Sequence, residues 1–307
     1  IREDILSGKL PSGTKLPSKR ALAAHLEVSK VTVEGAYAQL LAEGYLRSEE
    51  KVGFFVESTL RTQESAPIPA PARSREAQWE LDLTANAPAT GFPFSVWMRL
   101  QRQVMLDYGD KLLAHLPPQG YPELRTAIAE HLLQFRGMAV DPENILVGAG
   151  TDFLYNLLIQ LLGRDKRYAV EDPGYHKIRQ IYAAGGVECV SAALDEAGVR
   201  PDSLGSAQIL HCSPSHHFPT GIVTPAARRR ELIRWAEESP ERYIIEDDYD
   251  SEFRFHSHPV PALLTMDRRG KVIYMNTFSK TLAPSIRISY MILPPALMAD
   301  FRQKLGF

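Results

Sequence analysis

From about residue 81 onward, short apolar runs alternate with helical stretches, and this alternation constrains the fold of the chain most strongly. Runs such as 243–246 and 272–275 are strand-length and almost wholly apolar, and helical patterns such as 152–162 separate them. Alternation of this kind favours an α/β domain with a mostly parallel sheet. With 307 residues, of which 44% are hydrophobic, the chain is long enough for two or more domains.

A change in composition divides the chain. Residues 58–80 are rich in Pro, Ser, Ala and charged side chains, and their spaced prolines favour an extended, semi-rigid linker. We therefore expect a first domain at 1–57, a linker at 58–80 and a second domain at 81–307. Both ends of the sequence look truncated, because residue 1 lies inside a helical pattern and the last residues form no obvious terminus.

The first domain shows the pattern of a helix-turn-helix. Apolar residues recur at helical spacing on both sides of a break at 27–29. Ser18 and Ser29 precede the two predicted helices, where a hydroxyl can accept a hydrogen bond from a free backbone N–H. Two short runs, 45–48 and 53–56, then bracket a charged turn, as the strands of a wing would.

Charge alone does not identify a nucleic-acid interface in this domain. Residues 1–57 hold eight Lys and Arg against eight Asp and Glu, and the whole chain has a net charge of −2. The positions of the cations are more informative, since Lys19, Arg20, Lys30 and Lys51 fall at predicted helix starts and at the wing tip, where phosphates would lie. An ordinary small helical domain that binds protein or nothing is the alternative interpretation.

Several classes of protein are not indicated. Cys189 and Cys212 have no metal-ligand spacing, and the sequence has neither an 18-residue apolar run nor a signal peptide. We therefore expect a soluble cytoplasmic protein with no metal site and no membrane contact.

Lys280 raises a chemical question, because it lies between two predicted core strands, 272–275 and 288–293. A lysine in such a place needs a counter-charge, a path to water or a chemical role. Thr277, Ser279 and Arg287 surround it in sequence and could bind a phosphate. An amine desolvated among such groups can form a Schiff base with an aldehyde.

Three other segments carry polar groups at predicted strand ends. Gly150 and Thr151 open a helix after a strand, which suits an anion. Asp247 follows a strand and could hold a proton on a heterocyclic nitrogen, with Tyr249 donating to a phenolate oxygen; a solvated acidic loop or a metal site are alternatives. Tyr175 could cover the face of a ring or belong to the core. Together with Lys280, these groups suggest pyridoxal phosphate.

Motifs in the first domain strengthen the DNA-binding interpretation. The stretch LPSKRALAAHLEVSKVTVEGAYAQLLAEGYL resembles the winged helix-turn-helix of GntR-type bacterial regulators. The resemblance implies contacts with double-stranded operator DNA from Lys19, Arg20, Ser29, Lys30, Thr32, Lys51 and Gly53. Glu34 differs from the pattern, since some relatives carry a basic residue there.

Motifs in the second domain resemble another family. VGAGTDF, PPQGYPELRTAIAEHL, EDDYDSEFRF and NTFSKTLAPSIRISYMILPP are similar to the fold type I aminotransferase module of the MocR/GabR group of GntR regulators. The resemblance implies pyridoxal 5'-phosphate as an internal aldimine on Lys280. It also implies cofactor contacts from Asp247, Tyr249, Tyr175, Gly150, Thr151, Thr277, Ser279 and Arg287. The small C-terminal domain of that fold is expected to be missing from this sequence.

Two positions depart from that family pattern. Phe218 stands where aminotransferases usually place an asparagine that contacts the cofactor's phenolic oxygen. Lys177 stands where GABA-responsive relatives carry a carboxylate-binding arginine, and an ammonium is a point charge rather than a bidentate fork. Lys177 is therefore the predicted effector contact, with the identity of the effector open.

Three functional hypotheses follow. The first is a transcription regulator that senses an amino compound by forming an external aldimine on pyridoxal phosphate, as a domain-swapped or head-to-tail homodimer. The second is an active aminotransferase with an attached DNA-binding domain. The third is a DNA-binding protein whose α/β domain only dimerises. The set of Lys280, Asp247 and Tyr249 favours the first hypothesis over the third.

Overall fold

A computed structural model describes residues 1–58, 91–250, 252–253 and 260–306 of the chain. The chain divides into two compact units, Ile1–Asp82 and Leu83–Phe307. Beyond its first residue, the predicted linker 58–80 lies outside the described residues, and so do the first ten residues of the predicted second domain.

The first unit has the predicted helix-turn-helix and wing. Its elements are α1 (Arg2–Leu6), α2 (Lys19–His25), α3 (Lys30–Ala42), β1 (Leu46–Glu49) and β2 (Gly53–Val56), and β1 pairs antiparallel with β2. Both predicted serine caps are confirmed. Ser18 Oγ accepts a hydrogen bond from the third residue of α2 at 3.2 Å, and Ser29 Oγ accepts one from the third residue of α3 at 3.1 Å.

A small core holds this unit together. Tyr37 on α3 is fully buried, and its hydroxyl donates a hydrogen bond of 2.9 Å to the carbonyl oxygen of Pro17. Val33 and Leu40 on the same face of α3 pack with Leu46 and Val56 of the wing. The opposite face of α3 is left exposed, as a recognition helix requires.

The second unit is an α/β domain, as predicted. Its helices are α4 (Phe94–Tyr108), α5 (Pro122–Arg136), α6 (Thr151–Leu162), α7 (His176–Ala184), α8 (Ala226–Glu237), α9 (Leu263–Met266) and α10 (Pro295–Lys304). Its strands are β3 (Ile145–Gly148), β4 (Arg167–Asp172), β5 (Glu188–Asp195), β6 (Gly198–Val199), β7 (Ile209–Cys212), β8 (Tyr243–Asp247), β9 (Val272–Thr277) and β10 (Ser289–Ile292). None of the helices within the described ranges has the length and apolarity needed to cross a bilayer.

The eight strands form one sheet in the order β3-β10-β9-β8-β7-β4-β5-β6. Neighbours from β9 to β5 are parallel, whereas β10 is antiparallel to both β9 and β3, and β6 is antiparallel to β5. The mostly parallel sheet is thus confirmed. The connection from β9 to β10 has no crossover helix longer than one 3₁₀ turn, Pro284–Ile286, and so the chain returns antiparallel.

Helices cover both faces of the sheet. Ile245 packs in a core with residues of α6, α7 and α10, and its neighbour Ile244 packs in a second core with residues of α8 and α9. Alternate side chains of β8 therefore enter opposite cores, which explains why the central strands are apolar throughout. Ligands can reach such a sheet only at its strand ends.

Candidate cofactor site and candidate nucleic-acid interface

Most of the predicted cofactor residues lie at the carboxyl ends of β3, β4, β8 and β9, and Arg287 lies in the loop that leads into β10. These four strands point the same way, because β10 runs antiparallel to both β3 and β9. The fold therefore brings residues from positions 150 to 287 to a single edge of the sheet.

Asp247, the last residue of β8, is buried and only partly satisfied. Its Oδ2 accepts a hydrogen bond of 2.6 Å from the hydroxyl of Tyr155 on α6 and lies 3.4 Å from Nε2 of His211 on β7. Its Oδ1 is buried with no hydrogen-bond partner among the described residues. One carboxylate oxygen is thus held in place and the other remains able to accept a hydrogen bond.

Tyr155 and His211 were not identified from the sequence. His211 is itself oriented by Tyr182, whose hydroxyl lies 2.7 Å from the ring Nδ1. Burial is the largest cause that raises the pKa of Tyr155 and of Tyr182, so both phenols remain protonated donors. The His211 tautomer with hydrogen on Nε2 satisfies both contacts, because Tyr182 then donates to Nδ1 and Nε2 faces Asp247.

The run of acids at 246–250 is largely buried, so a solvated acidic loop is the wrong interpretation for its first three members. Glu246 accepts hydrogen bonds of 2.8 and 3.0 Å from the first two backbone N–H groups of α9. Asp248 pairs with Arg136 at 2.7 Å and accepts a hydrogen bond of 2.7 Å from the hydroxyl of Tyr274. Within the described ranges, no three His, Cys, Asp or Glu side chains are grouped so as to hold a metal ion.

Glu171 is a further buried acid that the sequence analysis missed. Its Oε2 accepts a hydrogen bond of 3.1 Å from the backbone N–H of Ser213 and lies 3.6 Å from Nε2 of His217. Burial raises the pKa of Glu171 to about 8, with the charge of Asp247 adding to the shift and the Ser213 hydrogen bond opposing it. Glu171 is therefore mainly protonated at neutral pH.

Tyr249 is half-buried in the turn after β8. Burial raises its pKa, and the neighbouring carboxylates, Asp250 first, raise it further. The phenol is therefore a hydrogen-bond donor over the physiological range.

Gly150 and Arg287 are in close contact at the N-terminus of α6. Gly150 has a φ of +94°, and a Cβ placed on it would lie 2.3 Å from Nη2 of Arg287. Only glycine allows both this backbone conformation and the close approach of the guanidinium. Thr151 is the first residue of α6, so free N–H groups and a guanidinium meet at one point.

Two hydroxyls, those of Thr277 and Ser279, lie at the end of β9 and in the turn that follows it, two strands away from β3. The Thr277 hydroxyl donates a hydrogen bond of 2.9 Å to Ser279 Oγ. Ser289 of β10 pairs in register with both Gly148 of β3 and Thr277 of β9. Thr277 therefore lies about 10 Å, two strand spacings, from the end of β3.

Lys280 lies in the turn after β9 and is exposed, which differs from the desolvated amine that the sequence predicted. Asp250 is in electrostatic contact with it. Burial raises the pKa of Asp250, and the charges of His216 and Lys280 oppose that rise. Nδ1 of His216 lies 2.8 Å from Oδ2 of Asp250.

Tyr175 and Lys177 lie at the start of α7. The Tyr175 ring is 48% exposed and meets the Phe218 ring edge-on, with centroids 6.0 Å apart. A core role for Tyr175 is therefore wrong. Lys177 Nζ pairs with Oδ2 of Asp152 at 2.7 Å, and Arg287 Nη2 lies 3.4 Å from the same oxygen. One carboxylate is thus shared by two cations.

In the first unit, the predicted DNA-contact residues lie on an exposed surface. Arg20 and Lys30 are exposed in the first turns of α2 and α3, and Lys51 lies in the β1–β2 turn with a φ of +59°. The hydroxyls of Ser29 and Thr32 lie 2.7 Å apart. Between the start of α2 and the wing is a cleft, lined by Lys15, Leu16, Ser18, Lys19, Arg20, Val52, Gly53 and Phe54. Lys15 was not identified from the sequence.

Fold and site together define a winged helix-turn-helix unit joined in one chain to an aminotransferase-type α/β unit. The profile of the bacterial regulatory proteins of the gntR family matches residues 1–56, and that of aminotransferase class I and II matches residues 80–304. The chain belongs to the MocR/GabR-type group of the GntR family, in which these two domains are combined.

Relatives with both domains are regulators by name. The chain is 39% identical to the HTH-type transcriptional regulator YdeL of Bacillus subtilis, covering 97% of this chain and 66% of YdeL. It is 36% identical to the pyridoxine biosynthesis transcriptional regulator PdxR of Corynebacterium glutamicum, covering 100% of this chain and 68% of PdxR. It is 34% identical to the probable rhizopine catabolism regulatory protein MocR of Rhizobium meliloti, covering 99% of this chain and 66% of MocR. The chain thus spans about two thirds of the length of these relatives.

Solved structures that resemble the second unit are aminotransferases, and the fold family is pyridoxal phosphate-dependent. The multiple substrate aminotransferase of Thermococcus profundus matches with a TM-score of 0.64 at 26% identity, over 71% of this chain and 57% of that protein. The α-aminoadipate aminotransferase of Thermus thermophilus, solved with N-(5'-phosphopyridoxyl)-L-leucine, matches with a TM-score of 0.63 at 26% identity, over 72% of this chain and 58% of that protein.

Proposed function

We propose that the chain is part of a pyridoxal phosphate-dependent transcription regulator. Residues 1–57 bind double-stranded operator DNA, residues 81–307 hold the cofactor and sense an amino compound, and residues 58–80 link the two. The observation that carries the proposal is the buried Oδ1 of Asp247, which has no hydrogen-bond partner in the described part of the chain and lies at the same sheet edge as Lys280, together with the winged helix-turn-helix of the first unit.

The donor set at this edge fits pyridoxal phosphate. The orphaned Oδ1 of Asp247 would accept a hydrogen bond from the protonated ring nitrogen, while Tyr155 and His211 hold the carboxylate in place. Tyr249 would donate to the phenolic oxygen, and its raised pKa supports that role. Tyr175, exposed at the start of α7, would cover the ring face.

The phosphate would lie among the groups that converge at the start of α6. The Gly150–Arg287 contact supports this placement, because it opens a close approach to the helix N-terminus beside a permanent positive charge. Thr151, Thr277 and Ser279 would supply hydroxyl and backbone donors.

Lys280 would hold the cofactor covalently. Bound pyridoxal phosphate supplies an aldehyde that reacts reversibly with amines, so an amino compound can compete with a lysine for it. The Asp250–His216 pair would accept the proton that Lys280 releases when it binds the aldehyde, and would return it when an amino compound displaces the lysine, since Asp250 lies within electrostatic reach of Lys280 and 2.8 Å from His216. Lys177 would bind the carboxylate of the amino compound once the pair with Asp152 opens.

A regulator is the preferred function, and an active aminotransferase is the alternative. Three relatives that align with both units of this chain are named as regulators, which supports regulation. The alternative is supported by the similarity of the second unit to solved aminotransferases. A homodimer, domain-swapped or head-to-tail, belongs to the proposal, and the many exposed apolar side chains of α4, with Leu106 at 75% exposure, support such an assembly.

The cofactor part of the proposal is tested by visible absorbance and borohydride reduction of the full chain after incubation with pyridoxal phosphate. We expect a visible band that Lys280→Ala removes while the protein stays folded, because Lys280 is exposed. Lys304→Ala, an exposed lysine on α10, is the control for non-specific labelling and should keep the band. A reducible covalent cofactor in Lys280→Ala would contradict the assignment.

The DNA part is tested with duplexes selected from a random pool. Arg20→Ala and Lys30→Ala should each weaken binding by about tenfold, because each removes a charge-assisted contact worth on the order of 1–3 kcal/mol. Lys9→Ala, whose side chain is 77% exposed in the same unit, is the charge-matched control. Unchanged affinity in both test variants would contradict the docking arrangement.

The regulator and the aminotransferase are separated by one comparison. Amino acids are screened for a change in DNA affinity, and the same samples are assayed for multiple turnovers with a keto-acid acceptor. A change in DNA affinity with slow or no turnover supports the regulator. Turnover of about 1 per second or faster, with no effect on DNA binding, supports the aminotransferase.

A further inference from the structure

The exposed face of α3 carries an acid where a DNA-reading helix usually carries neutral or basic groups. Glu34 lies one turn after Lys30, and its side chain is 40% exposed. Val31, on the exposed side of the first turn, is 75% exposed. At Gly35 an added Cβ would have no atom within 4 Å, so this part of the helix surface is open.

Two lysines from different helices lie near the Glu34 carboxylate. Lys30 Nζ lies 3.4 Å from Glu34 Oε1 along α3, and Lys19 Nζ, from the start of α2, lies 4.0 Å from the same oxygen. Lys19 in turn lies over the Phe54 ring of the wing, 5.3 Å from its centroid. The carboxylate therefore has a lysine from each of the two helices within ion-pair distance.

The chemistry of the carboxylate limits what Glu34 can bind on DNA. A carboxylate only accepts hydrogen bonds, and phosphates repel it. The donors in the major groove are the exocyclic amines of cytosine and adenine. Adenine presents the N7 acceptor beside its amine, which disfavours a carboxylate, whereas cytosine presents only the N4 donor. The lysines can still reach phosphates, because an ammonium has three donors.

We propose that Glu34 is a specificity-determining residue that accepts a hydrogen bond from the N4 amine of a cytosine in the major groove of the operator. This inference rests on the proposed DNA binding by residues 1–57. Gly35 lets the helix approach the bases closely, and Val31 supplies an apolar contact of the kind that reads a thymine methyl group.

The test selects duplexes from a pool with a randomised central stretch, using the full chain as wild type, Glu34→Gln, Glu34→Ala and Glu43→Gln. Glu43 lies at the far end of α3 and is the control. We expect the wild type and Glu43→Gln to select the same cytosine. Replacing that C·G pair by T·A should weaken DNA binding by both of these proteins by about tenfold or more, because thymine presents the O4 acceptor where cytosine presents the N4 donor.

The Glu34 variants should change the base that is read. Glu34→Gln should shift the preference at that position to adenine, since an amide pairs with N6 and N7 together. Glu34→Ala should lose the preference. Selection of identical sequences by all four proteins, with Glu34 variants differing only in overall affinity and salt dependence, would overturn the inference while leaving DNA binding intact. Failure of the wild type to bind any duplex would overturn the proposed function and this inference together.

Discussion

Tyr155 donates a hydrogen bond of 2.6 Å to Oδ2 of Asp247, and Oδ1 of the same carboxylate stays buried without a partner among the described residues. Removing the donor by Tyr155→Phe leaves a second buried oxygen poorly satisfied. We expect this change to lower the free energy of unfolding of the cofactor-free chain by about 1–3 kcal/mol.

We expect the Asp247 carboxylate to contribute to the cofactor affinity. Asp247→Asn removes the negative charge that would stabilise a protonated ring nitrogen, so pyridoxal phosphate should bind at least about tenfold more weakly in an absorbance titration. Tyr168→Phe is the control, because the hydroxyl of that buried tyrosine donates a long hydrogen bond of 3.4 Å to the carbonyl oxygen of Gly163 and has no contact with Asp247 among the described residues. Equal affinities for Asp247→Asn and wild type would rule out the ring-nitrogen role.

Gly150→Ala should disrupt the candidate phosphate site. The added methyl would lie 2.3 Å from Arg287 Nη2 at a backbone φ of +94°. Gly150 has φ +94° and ψ 164°, a backbone conformation that is essentially restricted to glycine, so we expect a loss of stability of about 1–3 kcal/mol from the backbone alone, and in addition a marked loss of cofactor affinity. Gly137→Ala, at a left-handed φ of +65° with no neighbour within 4 Å, is the control for an alanine placed at positive φ away from the site. If both variants bind the cofactor equally well, the phosphate does not lie at Gly150.

Asp152 should compete with anionic ligands for Lys177. Because it pairs with Lys177 at 2.7 Å and lies 3.4 Å from Arg287, Asp152→Asn should strengthen the response to amino acids in a spectral titration. Lys177→Ala should weaken that response more than it weakens cofactor binding. If Lys177→Ala instead weakens cofactor binding more than it weakens the response to amino acids, this lysine contacts the phosphate.

Glu171 should make the stability of the second unit fall as pH rises. Its pKa is raised from 4.5 to about 8 by burial, so between these values the folded state holds a proton that the unfolded state has released. Stability therefore declines from pH 4.5 to pH 8, and Glu171→Gln, which mimics the protonated acid, should be more stable than wild type by on the order of 3 kcal/mol at pH 7 and by little at pH 5.

Chemical denaturation followed by tryptophan fluorescence, to which the buried Trp235 of the second unit contributes, would measure this difference at both pH values. Glu196→Gln, on an exposed acid, is the control. A constant stability difference between Glu171→Gln and wild type across this range would show that Glu171 does not titrate there.

The sequence by itself determined the local elements. The cap hydroxyls of Ser18 and Ser29 contact N–H groups three residues away, so the helix starts depend only on neighbours in the chain. The apolar strands and the change at 58–80 likewise follow from local composition. Hence the winged helix-turn-helix and the mostly parallel sheet could be predicted without the structure. The strand at 288–293 was predicted slightly too long, because pairing with β9 and β3 limits it to Ser289–Ile292.

Only the tertiary structure decided how the site is assembled. Tyr155 and Asp247 are 92 positions apart in sequence, and Arg287 and Asp152 are 135 apart. No periodicity or motif in the sequence indicates that the Tyr155 hydroxyl donates a hydrogen bond to one oxygen of Asp247. Nor does any motif indicate that Asp152 is shared by Lys177 and Arg287. Such relationships depend on which strands become neighbours. Because helices cover both faces of the sheet, the polar groups collect at the strand ends, and the strand order decides which of these ends lie side by side.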